Sequence, residues 1–319
     1  MLWVLIIFVI VVLLSMVAGY YIFNSVFLYN DQKKGDKESA IDPSSIDSPT
    51  DLMRPTAARY YAYRAPYIDA FEQLDLKELS IRSFDGLTLY GYLLEGDPKE
   101  VVICVHGYKS SMQEDFADRI EIYRKRGSTV LLLNDRAHGK SEGTYLGFSE
   151  HDKRDVAKWV DKVNELYDNP RIYLHGVSMG GATVIHCANA RLKNVCGIID
   201  DCGFDSIVSI SKYLIKDCYH LPYFPFGDFA WFWSVIITGV SFNTSMGEEC
   251  VADTDIPILF IHGKEDHYVP CQMSEKMYEA CVSPKRLLLV EGCGHAAAYM
   301  MATKEYDRAV NELMDGEFK

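Results

Sequence analysis

Ser178 stands between two glycines in Gly176-Val177-Ser178-Met179-Gly180, the G-x-S-x-G pattern. The apolar run 171–175 before it reads as a buried strand, and residues 182–190 after it read as the start of a helix. A strand, a tight turn and a helix in that order thrust the serine out of a strained bend, with a helix N-terminus beneath it. The glycines suit a turn whose backbone segments approach too closely for side chains. A serine hydroxyl is a weak nucleophile at neutral pH. It needs a base to take its proton and an acid to orient that base.

Both partners are present, each just beyond a predicted strand. The acid is Asp266, in Ile261-His262-Gly263-Lys264-Glu265-Asp266. Glu265 is its neighbouring alternative, and Asp200 and Asp201, ending an earlier strand, are the others. The base is His295, in Glu291-Gly292-Cys293-Gly294-His295-Ala296, a glycine-containing loop after the last strand. Of the other histidines, His175 and His186 flank the serine turn, His262 precedes a turn glycine and His267 adjoins the acid. Attack on an acyl carbonyl builds an oxyanion that needs two donors. The expected pair is the backbone N–H of Met179 and that of Tyr108, in the loop His106-Gly107-Tyr108-Lys109-Ser110. Such chemistry requires no metal and no organic cofactor.

The elements that must position these groups alternate. A D-G turn at Asp85-Gly86 joins alternating apolar runs into an antiparallel hairpin. Strands follow at 101–105, 129–133, 171–175, 195–199, 257–261 and 286–290. Between and after them, helices are expected over 115–126, 150–167, 271–281 and 299–314. The pattern predicts an α/β fold: a mostly parallel central sheet with helices on both faces. The rhythm breaks between Phe204 and Val251, a segment rich in Tyr, Phe and Trp. It reads as a small helical cap, at about 205–251, over the sheet edge where ligands of such sheets sit. Most of its aromatics are expected to bury the cap against the body, with a few lining an apolar pocket.

Residues 2–23 carry no charged side chain, and Tyr20 and Tyr21 end the run. That length spans a bilayer, and tyrosine suits the interface. Nothing basic precedes Leu2, and Met16-Val17-Ala18 is a poor cleavage site, so an uncleaved single-pass anchor over 1–24 is expected. A polar linker at 25–56 then lifts a body at 57–319 off the bilayer. Lys33, Lys34 and Lys37 lie after the span and no Lys or Arg before it, which places the body on the cytoplasmic side. Nine cysteines without a C-x-x-C pair read as free thiols. The net charge of −13 excludes a nucleic-acid partner, which would need a basic footprint.

Taken together, His106-Gly107, the block from Asp135 to Ser141 (Asp-Arg-Ala-His-Gly-Lys-Ser), Gly176–Gly180, Asp266 and Gly294-His295 resemble the α/β-hydrolases. Within them the chain is most similar to short-cap, single-anchor serine hydrolases near the serine aminopeptidase-like and monoglyceride-lipase-like groups. Ala137 departs from the family's form, which has Arg or Gly before His-Gly; that block is mainly a structural loop. The resemblance covers roughly residues 60–315. It implies the α/β-hydrolase fold and hydrolysis of an apolar small-molecule acyl ester through a serine ester intermediate. A peptidase of the aminopeptidase type and a catalytically silent, membrane-tethered binding protein are the alternatives. Haloalkane and epoxide hydrolysis would place an aspartate where Ser178 stands.

Overall fold

A computed structural model of the chain describes residues 2–29, 57–242 and 245–318. Of the expected linker at 25–56, residues 30–56 lie outside them. Twelve α-helices and eight strands follow one another among the described residues. In chain order these are α1 (Leu2–Phe27), α2 (Ala57–Phe71), β1 (Lys77–Arg82), β2 (Thr88–Leu94), β3 (Asp97–Val105), α3 (Met112–Phe116), α4 (Ile120–Arg126), β4 (Ser128–Leu133), α5 (Asp152–Leu166), β5 (Arg171–Val177) and α6 (Met179–Ile185). They continue with β6 (Val195–Asp201), α7 (Ile207–Tyr213), α8 (Tyr223–Thr238), α9 (Gly247–Ala252), β7 (Ile258–Gly263), α10 (Gln272–Ala280), β8 (Lys285–Val290), α11 (Ala298–Met301) and α12 (Thr303–Met314).

All eight strands form one sheet in the order β1-β2-β4-β3-β5-β6-β7-β8. β1 and β2 pair antiparallel about the Asp85-Gly86 turn, and β2 pairs antiparallel with β4. Every other pairing is parallel. The period-two alternation of β3 decides what lies on each face. Val102 and Cys104 join a core beneath α4 and α12, whereas Val101, Ile103 and Val105 join a second core beneath α5, α6 and α10. Helices on both faces follow from a sheet that is apolar on both.

Three expectations are corrected. The helix foreseen over 115–126 is two helices. Between them the Asp118 carboxylate accepts from the Arg119 backbone N–H at 2.8 Å, a local bond that competes with helix continuation. The helix foreseen over 299–314 breaks at Ala302, whose φ of −138° and ψ of 46° are not helical. The cap aromatics are not mostly buried. Tyr219, Phe224, Trp231 and Phe232 are exposed, and Tyr213, Tyr223, Phe226, Phe229 and Trp233 are only part-buried.

α1 runs past the foreseen end at residue 24, and its last turns are seated on the body. Gly19, Phe23 and Phe27 are buried, at the i, i+4, i+8 spacing of one helix face. Tyr29 N–H then bonds the Thr144 carbonyl at 3.0 Å and Leu146 N–H the Phe27 carbonyl at 2.9 Å.

Candidate active site

β5 ends at Val177, and the chain reverses into α6 through Ser178, which has φ 57° and ψ −115°. A left-handed φ at a non-glycine residue is a strained state that its surroundings must enforce. Here the Ser178 N–H is pinned to the Asp201 carbonyl at 2.8 Å, and its own carbonyl takes the Ala182 N–H at 3.0 Å. A Cβ at Gly176 would lie 2.0 Å from the Gly180 carbonyl oxygen, and one at Gly180 would lie 2.0 Å from that of Val105. Only hydrogen fits at either position.

The loop after β7 carries Asp266 and the loop after β8 carries His295. The two loops are laced together. Glu265 N–H bonds the Cys293 carbonyl at 3.0 Å, and the Cys293 N–H bonds the Glu265 carboxylate at 3.0 Å. His295 Nδ1 lies 2.7 Å from Asp266 Oδ2, and His295 Nε2 lies 2.8 Å from Ser178 Oγ. Asp266 Oδ1 accepts the N–H groups of Tyr268 at 2.9 Å and Val269 at 2.8 Å. Burial alone would raise the Asp266 carboxyl. The His295 charge and hydrogen bonds from His262 and His295 outweigh it and hold the group well below the usual carboxylate range. An ionised carboxylate only accepts, so Nδ1 must carry the proton. In the neutral ring Nε2 is then the acceptor, and the Ser178 hydroxyl donates to it.

The alternative acids are engaged elsewhere. Asp200 accepts the Gly203 N–H at 2.9 Å, and Asp201 takes the Arg119 guanidinium at 2.9 Å and the Tyr306 hydroxyl at 2.9 Å. Met179 is the first residue of α6. Tyr108 lies on the loop after β3, which passes so near the serine that a Cβ on Gly107 would sit 3.2 Å from Ser178 Cβ. The Asp115 carboxylate fixes this loop by accepting the Gly107 N–H at 2.7 Å.

Several contributors were not foreseen. His262, read as a residue before a turn, is buried with Nδ1 2.7 Å from Ser274 Oγ and Nε2 3.3 Å from Asp266 Oδ2. Its polar position opposite an acid four residues on was the available signal. Tyr268 sets its ring edge-on to His295, with centroids 5.1 Å apart. Ligand atoms of Cys202, Asp266 and His295 lie within 4.8 Å of one another. Burial raises the Cys202 thiol well above its ordinary range, whereas metal binding wants a thiolate. Ala137, the departure in the Asp135–Ser141 block, has φ 67°, a left-handed value that favours glycine and strains any residue with a Cβ. In the same block Arg136 bonds Asp155 at 2.7 Å and Asp85 at 3.0 Å, which ties the loop to α5 and the hairpin.

The Pyrococcus furiosus esterase Pf2001 superposes on the chain with a TM-score of 0.63, covering 77% of this chain and 92% of that one at 24% identity. An esterase from Exiguobacterium antarcticum superposes with a TM-score of 0.56 at 17% identity, covering 74% and 98%. The chain has the α/β-hydrolase fold. Residues 96–202 match the family model described as serine aminopeptidase, S33, and residues 227–297 match the serine hydrolase (FSH1) model. The two matches divide the site between them, Ser178 in the first and Asp266 and His295 in the second. Among curated relatives, the chain is 28% identical over 251 residues to the uncharacterized protein YqkD of Bacillus subtilis, covering 77% of this chain and 82% of that one. It is 26% identical over 258 residues to YfhR of Escherichia coli, covering 78% and 83%. A shorter likeness, 29% identity over 140 residues, joins it to the thiohydrolase aneE of Aspergillus aculeatus, covering 40% and 44%.

Proposed function

We propose that this α/β-hydrolase is a serine esterase that works through an acyl-enzyme. The observation that carries this is the chain of hydrogen bonds from Asp266 through His295 to Ser178, 2.7 and 2.8 Å long, in a site almost closed to water. His295 Nε2 takes the Ser178 proton as Oγ attacks the ester carbonyl. The N–H groups of Met179 and Tyr108 hold the oxyanion, and Asp266 supports the imidazolium. His295 returns the proton to the leaving alcohol. Water, deprotonated by the same nitrogen, then releases the acid and regenerates Ser178.

An apolar acyl group suits the surroundings, because Met179 and Ala182 share one apolar cluster with Phe204, Ile207, Val269 and Trp233. The esterase and thiohydrolase names among the similar proteins are in keeping with acyl chemistry. α1 is taken as the single membrane anchor, its body-side end reaching the site.

The full chain should react covalently with a fluorophosphonate probe, and Ser178→Ala should abolish the adduct. It should hydrolyse p-nitrophenyl esters of graded chain length and leave aminoacyl-anilides intact. Cleavage of anilides with every ester inert would replace the esterase by the peptidase. No labelling of folded protein at high probe concentration would make it a binding protein.

A further inference from the structure

α8 leaves an apolar stripe in the open. Trp231, Phe232, Val235 and Ile236 follow the i, i+1, i+4, i+5 spacing of one helix face, and they are 36%, 39%, 37% and 63% exposed. Asp228, one turn earlier, is the single charged residue of the helix. Among the described residues nothing covers this stripe. The opposite face of α8 is occupied by α1. A Cβ on Gly19 would fall 2.3 Å from Phe229 Cβ, so the two helices touch backbone to side chain. Trp233 Nε1 donates to the Met16 carbonyl at 2.9 Å, and the Trp233 and Tyr20 rings meet edge-on at 5.3 Å.

The depth of that contact matters. A bilayer core of about 30 Å takes about 20 helical residues. Counted from Leu2, it ends near Tyr21, so Met16–Tyr20 lies just inside the body-side boundary. α8 is seated on that stretch. Its stripe therefore continues the apolar flank of α1, where Leu13, Leu14, Val17 and Tyr21 are also exposed. Tryptophan beside aliphatic side chains is the composition of a helix lying in the boundary layer. At 16 residues α8 is too short to span the bilayer, and Gly239, at φ 73°, ends it so that Val240 and Phe242 return to the core.

The geometry points to α8 as a second membrane element: its Trp231–Ile236 stripe is immersed in the lipid bilayer beside α1, and the ester substrate comes from the bilayer. This rests on the esterase reading and on α1 as a span. The same two helices border the residue next to the serine, since Phe23 and Phe27 of α1 and Trp233 and Ile237 of α8 share an apolar cluster with Met179. An ester dissolved among lipid chains meets the seam between α1 and α8 on its way to Ser178.

Docking is read without catalysis. The full chain carrying Trp3→Phe is placed in phosphatidylcholine vesicles whose acyl chains are brominated near the carbonyl end. Bromolipid should quench part of the tryptophan emission, and adding Trp231→Phe should remove a large share of the quenched part. Equal quenching with and without Trp231 overturns the proposal. Discs holding one copy of the chain must give the same result, because loss of quenching there would assign the stripe to a second copy and overturn it too. Delivery is read with Phe232→Asp and Ile236→Asp. Hydrolysis of a long-chain ester presented in vesicles should fall tenfold or more, with a water-soluble short ester changed less than twofold. An equal change for both esters overturns delivery from the bilayer. A wild-type chain that hydrolyses no ester would defeat the esterase reading and leave the quenching result standing.

Discussion

The Tyr108 hydroxyl donates a hydrogen bond of 2.9 Å to the carbonyl of Val26, 82 residues away in α1. Beside it, Lys109 Nζ reaches the Ser25 carbonyl at 2.8 Å. The loop taken to supply an oxyanion donor is thus held by the last turn of α1. Carbonyls at a helix C-terminus lack intrahelical partners and readily accept such bonds. Tyr108→Phe keeps the ring and the backbone N–H but drops the tether. A lost hydrogen bond of this kind is worth about 0.5–1.5 kcal/mol. The expected outcome is a two- to tenfold fall in kcat on a short ester with KM nearly unchanged. A change confined to KM would show that the tether does not align the donor.

Asp266 has two histidine neighbours, and they should answer differently to substitution. Asp266→Asn destroys the tautomer argument for His295 and should lower kcat by roughly 10³–10⁴, as loss of the orienting carboxylate does in such a chain of groups. His262→Gln touches the carboxylate from the far side and should cost far less in kcat. Steady-state kinetics of the two variants, checked by fluorophosphonate labelling rates, compares them directly. Equal losses would place His262 in the proton path.

Buried Asp200 supplies a pH test of stability. Burial, only partly offset by His262 and the Gly203 N–H, pushes its carboxyl up to about 7. The unfolded value is about 3.9. The fold therefore prefers the protonated form. Below pH about 4 both states hold the proton and there is no penalty. As pH rises towards 7 the unfolded chain ionises first, stability falls, and above 7 the loss is constant. Asp200→Asn has no such proton to lose. Urea unfolding should find the variant gaining on the wild type between pH 4 and 7, by about 4 kcal/mol at most, with no further gain above pH 8.

Two glycine substitutions separate steric need from conformational need. Gly180→Ala drives a methyl into the Val105 carbonyl, a backbone group that cannot yield, and should cost about 3 kcal/mol or more along with all fluorophosphonate labelling. At Gly292, with φ 64°, a Cβ has open space around it. Gly292→Ala should cost only about 1 kcal/mol and leave labelling intact. Thermal melts and labelling of the two variants together check both statements.

Ser178, Asp266 and His295 could be read from the chain because each follows an apolar strand, and parallel strands deliver their loops to one edge of the sheet. What could not be read was sideways. Asp115 holding Gly107 spans eight residues and two elements, and nothing in its helix marks it as a loop anchor. His262 opposes Asp266 across a turn whose shape the glycine leaves open. Trp231 and Phe232 could not be told from the inward-facing Phe229 and Trp233 because α8 is apolar on nearly all sides; periodicity assigns no inner face to such a helix. Likewise α1 has no polar face, and its buried ridge of Gly19, Phe23 and Phe27 becomes visible only beside α8.

The seat of α1 on the body has a metric consequence. For a helix that crosses a bilayer, packing through Phe27 and the Tyr29–Thr144 bond make the first 29 residues a ruler rather than a rope. The height of Ser178 above the lipid chains is then set by side-chain contacts, whatever the length of the segment that follows. A hydrolase built in this way samples a plane at one fixed altitude. If α1 spans a bilayer and the proposed esterase reading holds, the working concentration is a surface density, and selectivity includes how far an ester bond can rise from the bilayer to meet the serine.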